Sequence, residues 1–244
     1  MKKKWPWYLG FFVLLFAVYY IFVFSMTDIS QSTLPVINNN VQPFSFIDQN
    51  GKKITQYDVE GKVYVTEYFF TTCKGICPIM NANMRRVFDA FKNEAGFMIL
   101  SHTCMPETDS VPVLKAYEAK MINGKLEKNA DGSYKIEYDS TTNHKPQTTN
   151  LNWNFVTGDK AALYKMARQS YGIDNGKPDT TQIKDQFIHT QFFALVDKQG
   201  RVRGMVYDGL NNDEVDKMIT DIKGLLKEKV TTKRFMNGFS NTPN

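Results

Sequence analysis

The amino-acid sequence predicts an α/β protein, a mixed sheet flanked by helices, on three observations. Short apolar runs rich in β-branched and aromatic residues alternate with stretches of helical periodicity. One such run, Val63 to Phe70, hands over at Thr71-Thr72 to a helical pattern marked by Cys77, Met80, Met84, Val87, Phe88 and Phe91. Hairpin signals stand at both ends of the alternation, around Asn50-Gly51 and at Asp197-Lys198-Gln199-Gly200.

At 244 residues the chain holds one sizeable domain with additions. The formal net charge is +5, and Lys2, Lys3 and Lys4 supply three of those charges, so the remainder is close to balanced. The sequence carries no basic groove interleaved with stacking aromatics, which argues against nucleic acid as a partner. Three cysteines, Cys73, Cys77 and Cys104, are too few for a disulfide scaffold. They read as a reactive or metal-binding pair with one thiol left over.

In chain order, residues 1–4 are a basic tail. Trp5 to Met26 contain no charged side chain, and about 20 such residues cross a hydrocarbon core. Residues 5–26 are therefore expected to be a transmembrane anchor with Trp5, Trp7 and Tyr8 at its entry. The lysines before it and Asp28 after it place the N-terminus in the cytoplasm. The expected arrangement is a single pass through the cytoplasmic (inner) membrane with the C-terminal domain on the periplasmic, extracytoplasmic side. The apolar core is too long for a cleaved signal, no small-x-small site follows it, and no cysteine is placed for lipid attachment. Residues 27–40, polar and rich in Asn, Gln and Ser, read as a linker.

The folded domain is expected over 41–230. Pro43 to Thr55 alternates around Asn50-Gly51 as a hairpin, and Val63 to Phe70 reads as a strand buried on both faces. Pro78 marks the start of the cysteine-bearing helix. Gly96 to Ser101 is a second apolar strand, ending in His102-Thr103-Cys104-Met105-Pro106-Glu107, and Val111 to Met121 is a helix behind Pro112. Residues 123–150 read as an inserted surface hairpin and loop. Trp153 to Asp159 returns as a strand, Ala161 to Tyr171 is a helix stopped at Gly172, Gln191 to Tyr207 is a hairpin, and Asp213 to Lys229 is the last helix. Residues 231–244 are expected to be a flexible tail. A dithiol on the first helix of such an alternation makes the predicted fold thioredoxin-like.

The pair is spaced Cys-x-x-x-Cys, where a buried strand meets a helix N-terminus whose free N–H groups favour thiolate. Residues four apart share a helix face, so the sulfurs can close a disulfide or hold an atom between them. Soft thiolates select Cu(I), with imidazole as a competent further ligand. Structural zinc usually takes four ligands as two such pairs, and one pair is present. Three histidines are candidates: His189 just ahead of the Gln191 strand, His102 at a strand end, which reads as a solvated turn residue, and His144 in the polar insertion. Met80, Met84 and Trp153 read as core. Cys104 reads as a buried packing residue, with a soft auxiliary ligand or a resolving thiol as the alternative. Asp185 stands either hydrogen-bonded to His189 or in water.

The run Tyr68-Phe69-Phe70-Thr71-Thr72-Cys73-Lys74-Gly75-Ile76-Cys77-Pro78-Ile79-Met80 resembles the signature of the Sco/SenC copper-binding proteins. So do Leu100-Ser101-His102-Thr103 with Pro106-Glu107-Thr108-Asp109, Trp153 with Thr157-Gly158-Asp159-Lys160, and His189 ahead of Phe192 to Gly200, all in the family's order. The resemblance spans about residues 41 to 228 and skips 123–150. It implies a membrane-anchored thioredoxin-like domain that binds a copper ion through Cys73, Cys77 and His189. Its partner would be the copper-binding subunit of cytochrome c oxidase, whose CuA centre it helps assemble, or another copper or dithiol protein. Where the family usually reads Val-Asp-Pro-Glu, this chain has Cys104-Met105-Pro106-Glu107.

Two functions are compatible with these residues. In one, the chain is a metallochaperone and not an enzyme. In the other it is a thiol–disulfide oxidoreductase that reduces the acceptor's cysteines, Cys73 attacking as the exposed thiol and Cys77 resolving. No sequence feature supports a peroxidase.

Overall fold

A computed structural model describes residues 4–26, 34–139, 152–174 and 190–229. His144, Asp185, His189 and the predicted tail lie outside the described residues. Helix α1 (Trp5–Met26) is 22 residues long with no charged side chain, about 33 Å of helix. Side chains are described continuously for Trp7 to Ile21 within it, and Phe11, Phe12, Leu14, Phe16 and Ile21 among them are exposed. Taken over the described residues alone, no helix is long and apolar enough to cross a membrane.

The domain is built on one mixed sheet. Its strands are β1 (Val36–Asn38), β2 (Ser45–Asp48), β3 (Lys53–Thr55), β4 (Val63–Phe69), β5 (Phe97–Thr103), β8 (Trp153–Thr157), β9 (Phe192–Val196) and β10 (Val202–Asp208). They lie in the order β1-β10-β9-β4-β5-β8-β2-β3. β4 pairs with β5 in parallel, in register from Val63↔Phe97 to Phe69↔Thr103, and β5 pairs in parallel with β8. β9 runs antiparallel to β4. The other helices are α2 (Gln56–Val59), α3 (Cys77–Phe91), α4 (Val111–Asn123), α5 (Lys160–Lys165) and α6 (Asn212–Lys227).

Each strand shows a different side chain to each face, and the two faces make two cores. Val63, Val65 and Phe69 of β4 pack with Met80, Met84 and Phe88 of α3, Leu114 of α4, and Val215 and Met218 of α6. Tyr64 and Tyr68 pack on the opposite face with Leu163, Met166, Ala167 and Tyr171. Met80, Met84 and Trp153 are fully buried, as their spacing predicts.

The structure departs from the sequence reading in four places. Val36–Asn38, inside the expected linker, pairs antiparallel with β10 as an edge strand. β5 runs two residues past Ser101, which puts His102 inside the sheet. The predicted helix over 161–171 is α5 followed by a π-helical stretch, Met166–Tyr171, ended by Gly172 at φ 66°. The inserted hairpin, β6 (Lys125–Lys128) and β7 (Tyr134–Glu137), docks on α3, with the Arg86 guanidinium 4.4 Å from the Tyr134 ring centre. Tyr134 is an aromatic on a short polar hairpin, and the long arm of Arg86 reaches it.

Asn152 joins α3 to the sheet. Its Nδ2 donates to the carbonyls of Phe91, Lys92 and Glu94 at 3.1–3.3 Å, at and just past the end of α3, and its own carbonyl accepts from the Ile99 N–H at 2.6 Å. Asn152→Ala removes one donor from each carbonyl, those of Phe91 and Glu94 keeping a backbone N–H, and we expect it to lower unfolding free energy by about 1–3 kcal/mol. Urea denaturation followed by far-UV circular dichroism checks this. An unchanged midpoint would mean that solvent satisfies the helix end.

Candidate metal and redox centre

The site lies at the C-terminal end of β4. The chain leaves the strand at Phe69 and turns at Phe70 to Cys73, closed by the Cys73 N–H on the Phe70 carbonyl at 3.2 Å. It enters α3 with Cys77 as the first helical residue and Pro78 next, where a missing N–H costs nothing. Lys74 and Gly75 are exposed. Cys73 is half-buried, whereas Cys77 is 4% exposed. Both thiols are free, and they lie near enough for the Cys73 sulfur to raise the pKa of Cys77.

The helix N-terminus leads one to expect a thiolate at Cys77, and the structure gives the opposite. Burial pushes the Cys77 thiol well up, helped by the neighbouring Cys73 sulfur, against the pull of the Phe70 backbone N–H. The pair is thus a buried proton-bearing sulfur behind an accessible one.

Beneath it sits a residue to which the sequence reading gave no role. Glu67, on the same face of β4 as Phe69, is fully buried. Its Oε1 accepts from Ser101 Oγ at 2.6 Å, and Ser101 Oγ accepts from Trp153 Nε1 at 2.8 Å. Its Oε2 has no partner among the described residues. Burial raises its pKa to about 8, with the Ser101 hydroxyl opposing the shift, so the carboxyl is mainly protonated at neutral pH. The signal was a glutamate within an otherwise apolar, two-faced strand.

His102 is not a solvated turn residue. It is fully buried on the other face of the sheet, stacked 4.9 Å from the Tyr68 ring, with Phe46 and Tyr171 edge-on to it. Its Nδ1 lies 3.0 Å from Thr66 Oγ1 and 3.2 Å from the Leu100 carbonyl. Desolvation lowers its pKa to about 3, so it stays neutral. Cys104 is 1% exposed in that same second core, on the opposite face from Cys77. Burial pushes its thiol up, with the fields of Cys77, Asp109 and Cys73 adding to the shift. This fits a packing cysteine.

Among the described residues no group of three or more His, Cys, Asp or Glu side chains is arranged to hold a metal ion. The pair supplies two sulfur donors. The chain returns to it at β9, whose antiparallel register with β4 runs Tyr64↔Val196, Val65↔Leu195, Thr66↔Ala194. Thr190, two residues ahead of β9, donates its hydroxyl to the Ile173 carbonyl at 2.7 Å.

Comparison with known proteins bears on the fold and the family. The model of the SCO1/SenC family matches residues 35–133 and 137–227, and so runs through much of the 123–150 insertion that the resemblance skips. The SCO1 protein homolog of Bacillus subtilis is 29% identical over 205 residues, covering 83% of this chain and 91% of that protein. The structure of BsSco, a member of the Sco family of cytochrome c oxidase assembly proteins in which a disulfide switch was identified, superposes with a TM-score of 0.58 at 28% identity. It covers 80% of this chain and 98% of that one. Copper-bound ScoI of Bradyrhizobium japonicum shares the fold at a TM-score of 0.52 and 21% identity, over 76% of this chain and 99% of that one.

The buried carboxyl sets a pH dependence with a definite sign. Glu67 has a folded pKa of about 8, above its ordinary 4.5. The folded state therefore keeps its proton where the unfolded state loses it, and stability present below pH 4.5 falls as pH rises toward 8. Glu67→Gln mimics the protonated form. Between about pH 5 and 9 we expect the reduced variant to lose clearly less stability than the reduced parent in urea titrations. Parallel curves for the two would mean that Glu67 does not carry this proton.

Proposed function

The chain belongs to the SCO1/SenC family, and from that premise we propose that it is a membrane-anchored copper metallochaperone. The observation that carries this reading is the thiol pair: two free, neighbouring sulfurs where β4 hands over to α3, one open to a partner and one held in the core. Soft sulfur donors of this kind suit Cu(I). We assign His189 as the third ligand, because it precedes β9 in the sequence, and β9, antiparallel to its neighbour β4, begins at the end of the sheet where β4 leads into the pair. Copper is cargo here. Cys73 and Cys77 would give up their thiol protons on loading and recover them on release. A site with few ligands lets an acceptor's donors enter before the chain's own leave. The acceptor in this reading is the CuA centre of cytochrome c oxidase, as the assembly role of the Sco family suggests.

The anchor belongs to the same proposal. Helix α1, uncharged over 22 residues, follows Lys2 to Lys4 and would hold the domain on the extracytoplasmic face of the cytoplasmic membrane.

A second reading, dithiol reduction of the acceptor's cysteines, is favoured by one feature: Cys73 is accessible to attack a disulfide while the buried Cys77 stands beside it to resolve the mixed intermediate. The two readings share the pair and separate at His189, which disulfide exchange does not need.

The test uses the full chain, purified and reduced, titrated with Cu(I) against a competing chelator. We expect one equivalent to bind. His189→Ala and Cys77→Ser should each weaken it by more than about 100-fold, beyond the cost of losing an outer hydrogen-bond partner. Binding indifferent to His189, with rapid reduction of a dithiol acceptor, would favour the second reading.

A further inference from the structure

The loop that presents Cys73 is tied to the rest of the molecule by one buried carboxylate. Asp109, just before α4, is 1% exposed. Its Oδ1 accepts the Thr71 hydroxyl at 2.6 Å, and its Oδ2 accepts the Thr71 N–H at 3.2 Å and the Thr103 hydroxyl at 2.5 Å. The Thr103 Oγ1 accepts the Met105 N–H at 3.0 Å, and the Asp109 N–H closes on the Met105 carbonyl at 2.9 Å. Three donors on one carboxylate thus bind the turn after β4 to the end of β5 and to the loop beyond it. Hydrogen bonds to a charged acceptor are the strong kind.

The two thiols are held by different means. Cys77 belongs to α3 and goes where the helix packs. Cys73 precedes the helix, whose N-cap residue, Ile76, makes no side-chain capping bond, and Lys74 and Gly75 between them are exposed. Thr71 lies inside the turn that Cys73 closes. Holding Thr71 therefore holds Cys73 from its N-terminal side.

We propose that Asp109 is a positioning residue for the thiol pair: through Thr71 it fixes Cys73 relative to Cys77, so that the two sulfurs act as one unit in closing a disulfide or grasping a soft ion. This rests on Cys73 and Cys77 being the functional pair, and not on copper being the cargo.

Asp109→Asn keeps the volume and replaces the charge-assisted bonds by neutral ones about half as strong, so the ties to Thr71 and Thr103 are weakened. The readout is the equilibrium between the Cys73–Cys77 dithiol and its disulfide in glutathione buffers, measured on the full chain. Looser sulfurs close less readily, and we expect Asp109→Asn to move the equilibrium constant about tenfold toward the dithiol. Thr71→Val, which removes one hydroxyl and spares Asp109, should shift it in the same direction by less. Arg203→Met is the control for general destabilisation. It breaks buried ion pairs with Asp197 at 2.8 Å and Glu228 at 3.0 Å, and should lower stability without moving the equilibrium. An equilibrium unchanged in both Asp109→Asn and Thr71→Val, or shifted as much in Arg203→Met, would overturn the proposal. No step requires copper, so failure of Cu(I) binding with the shift intact would count against the cargo alone.

Discussion

The site depends on β4 being buried along its whole length. All seven residues from Val63 to Phe69 are buried, between β5 on one side and β9 on the other, with a core on each face. A strand so enclosed ends at a fixed point, and the cysteine-bearing turn springs from that point. Enclosure also obliges polar groups on or beside the strand to find partners inside the protein. Thr66 meets His102, Glu67 meets Ser101 and through it Trp153, and Thr71 and Thr103 meet Asp109. These contacts stitch the β4–β5 pair together from its middle to the end that leads into the thiol pair.

Burial also decides the protonation of the site. A helix N-terminus stabilises a negative charge by about 0.3–1 kcal/mol, or about 2 in favourable geometry. Full desolvation of an ionisable group can move its pKa by about 3–5 units, each worth about 1.4 kcal/mol. At Cys77 the larger effect wins and the sulfur keeps its proton. The same holds for Glu67, which stays mainly protonated at neutral pH. Anything that takes Cys77, whether a soft ion or a disulfide, must displace a proton from the core at the start of α3.

Much of this was legible in the sequence, for physical reasons. The seven-residue apolar strand, the Cys-x-x-x-Cys at its end, the periodic helix behind it and the Asn-Gly hairpin each follow from local pattern, and the structure has them in place. What was missed is tertiary. Val36–Asn38 became a strand because β10 offered an edge, not because three polar-flanked residues announce one. His102 looked like a turn residue because β5 carries polar side chains at its end, and only the aromatic neighbours on the second face explain its burial. Asp109 and Glu67 belong to hydrogen-bond networks whose members are up to 86 positions apart, as Glu67 and Trp153 are. No local window contains such a network.

The measurement that bears most directly on the account is copper K-edge X-ray absorption of the reduced full chain loaded with one equivalent of Cu(I). The account predicts a low-coordinate ion with two sulfur neighbours and one nitrogen neighbour. The nitrogen should vanish in His189→Ala, and a sulfur in Cys77→Ser. A shell of sulfur alone, or one unchanged in His189→Ala, would contradict it.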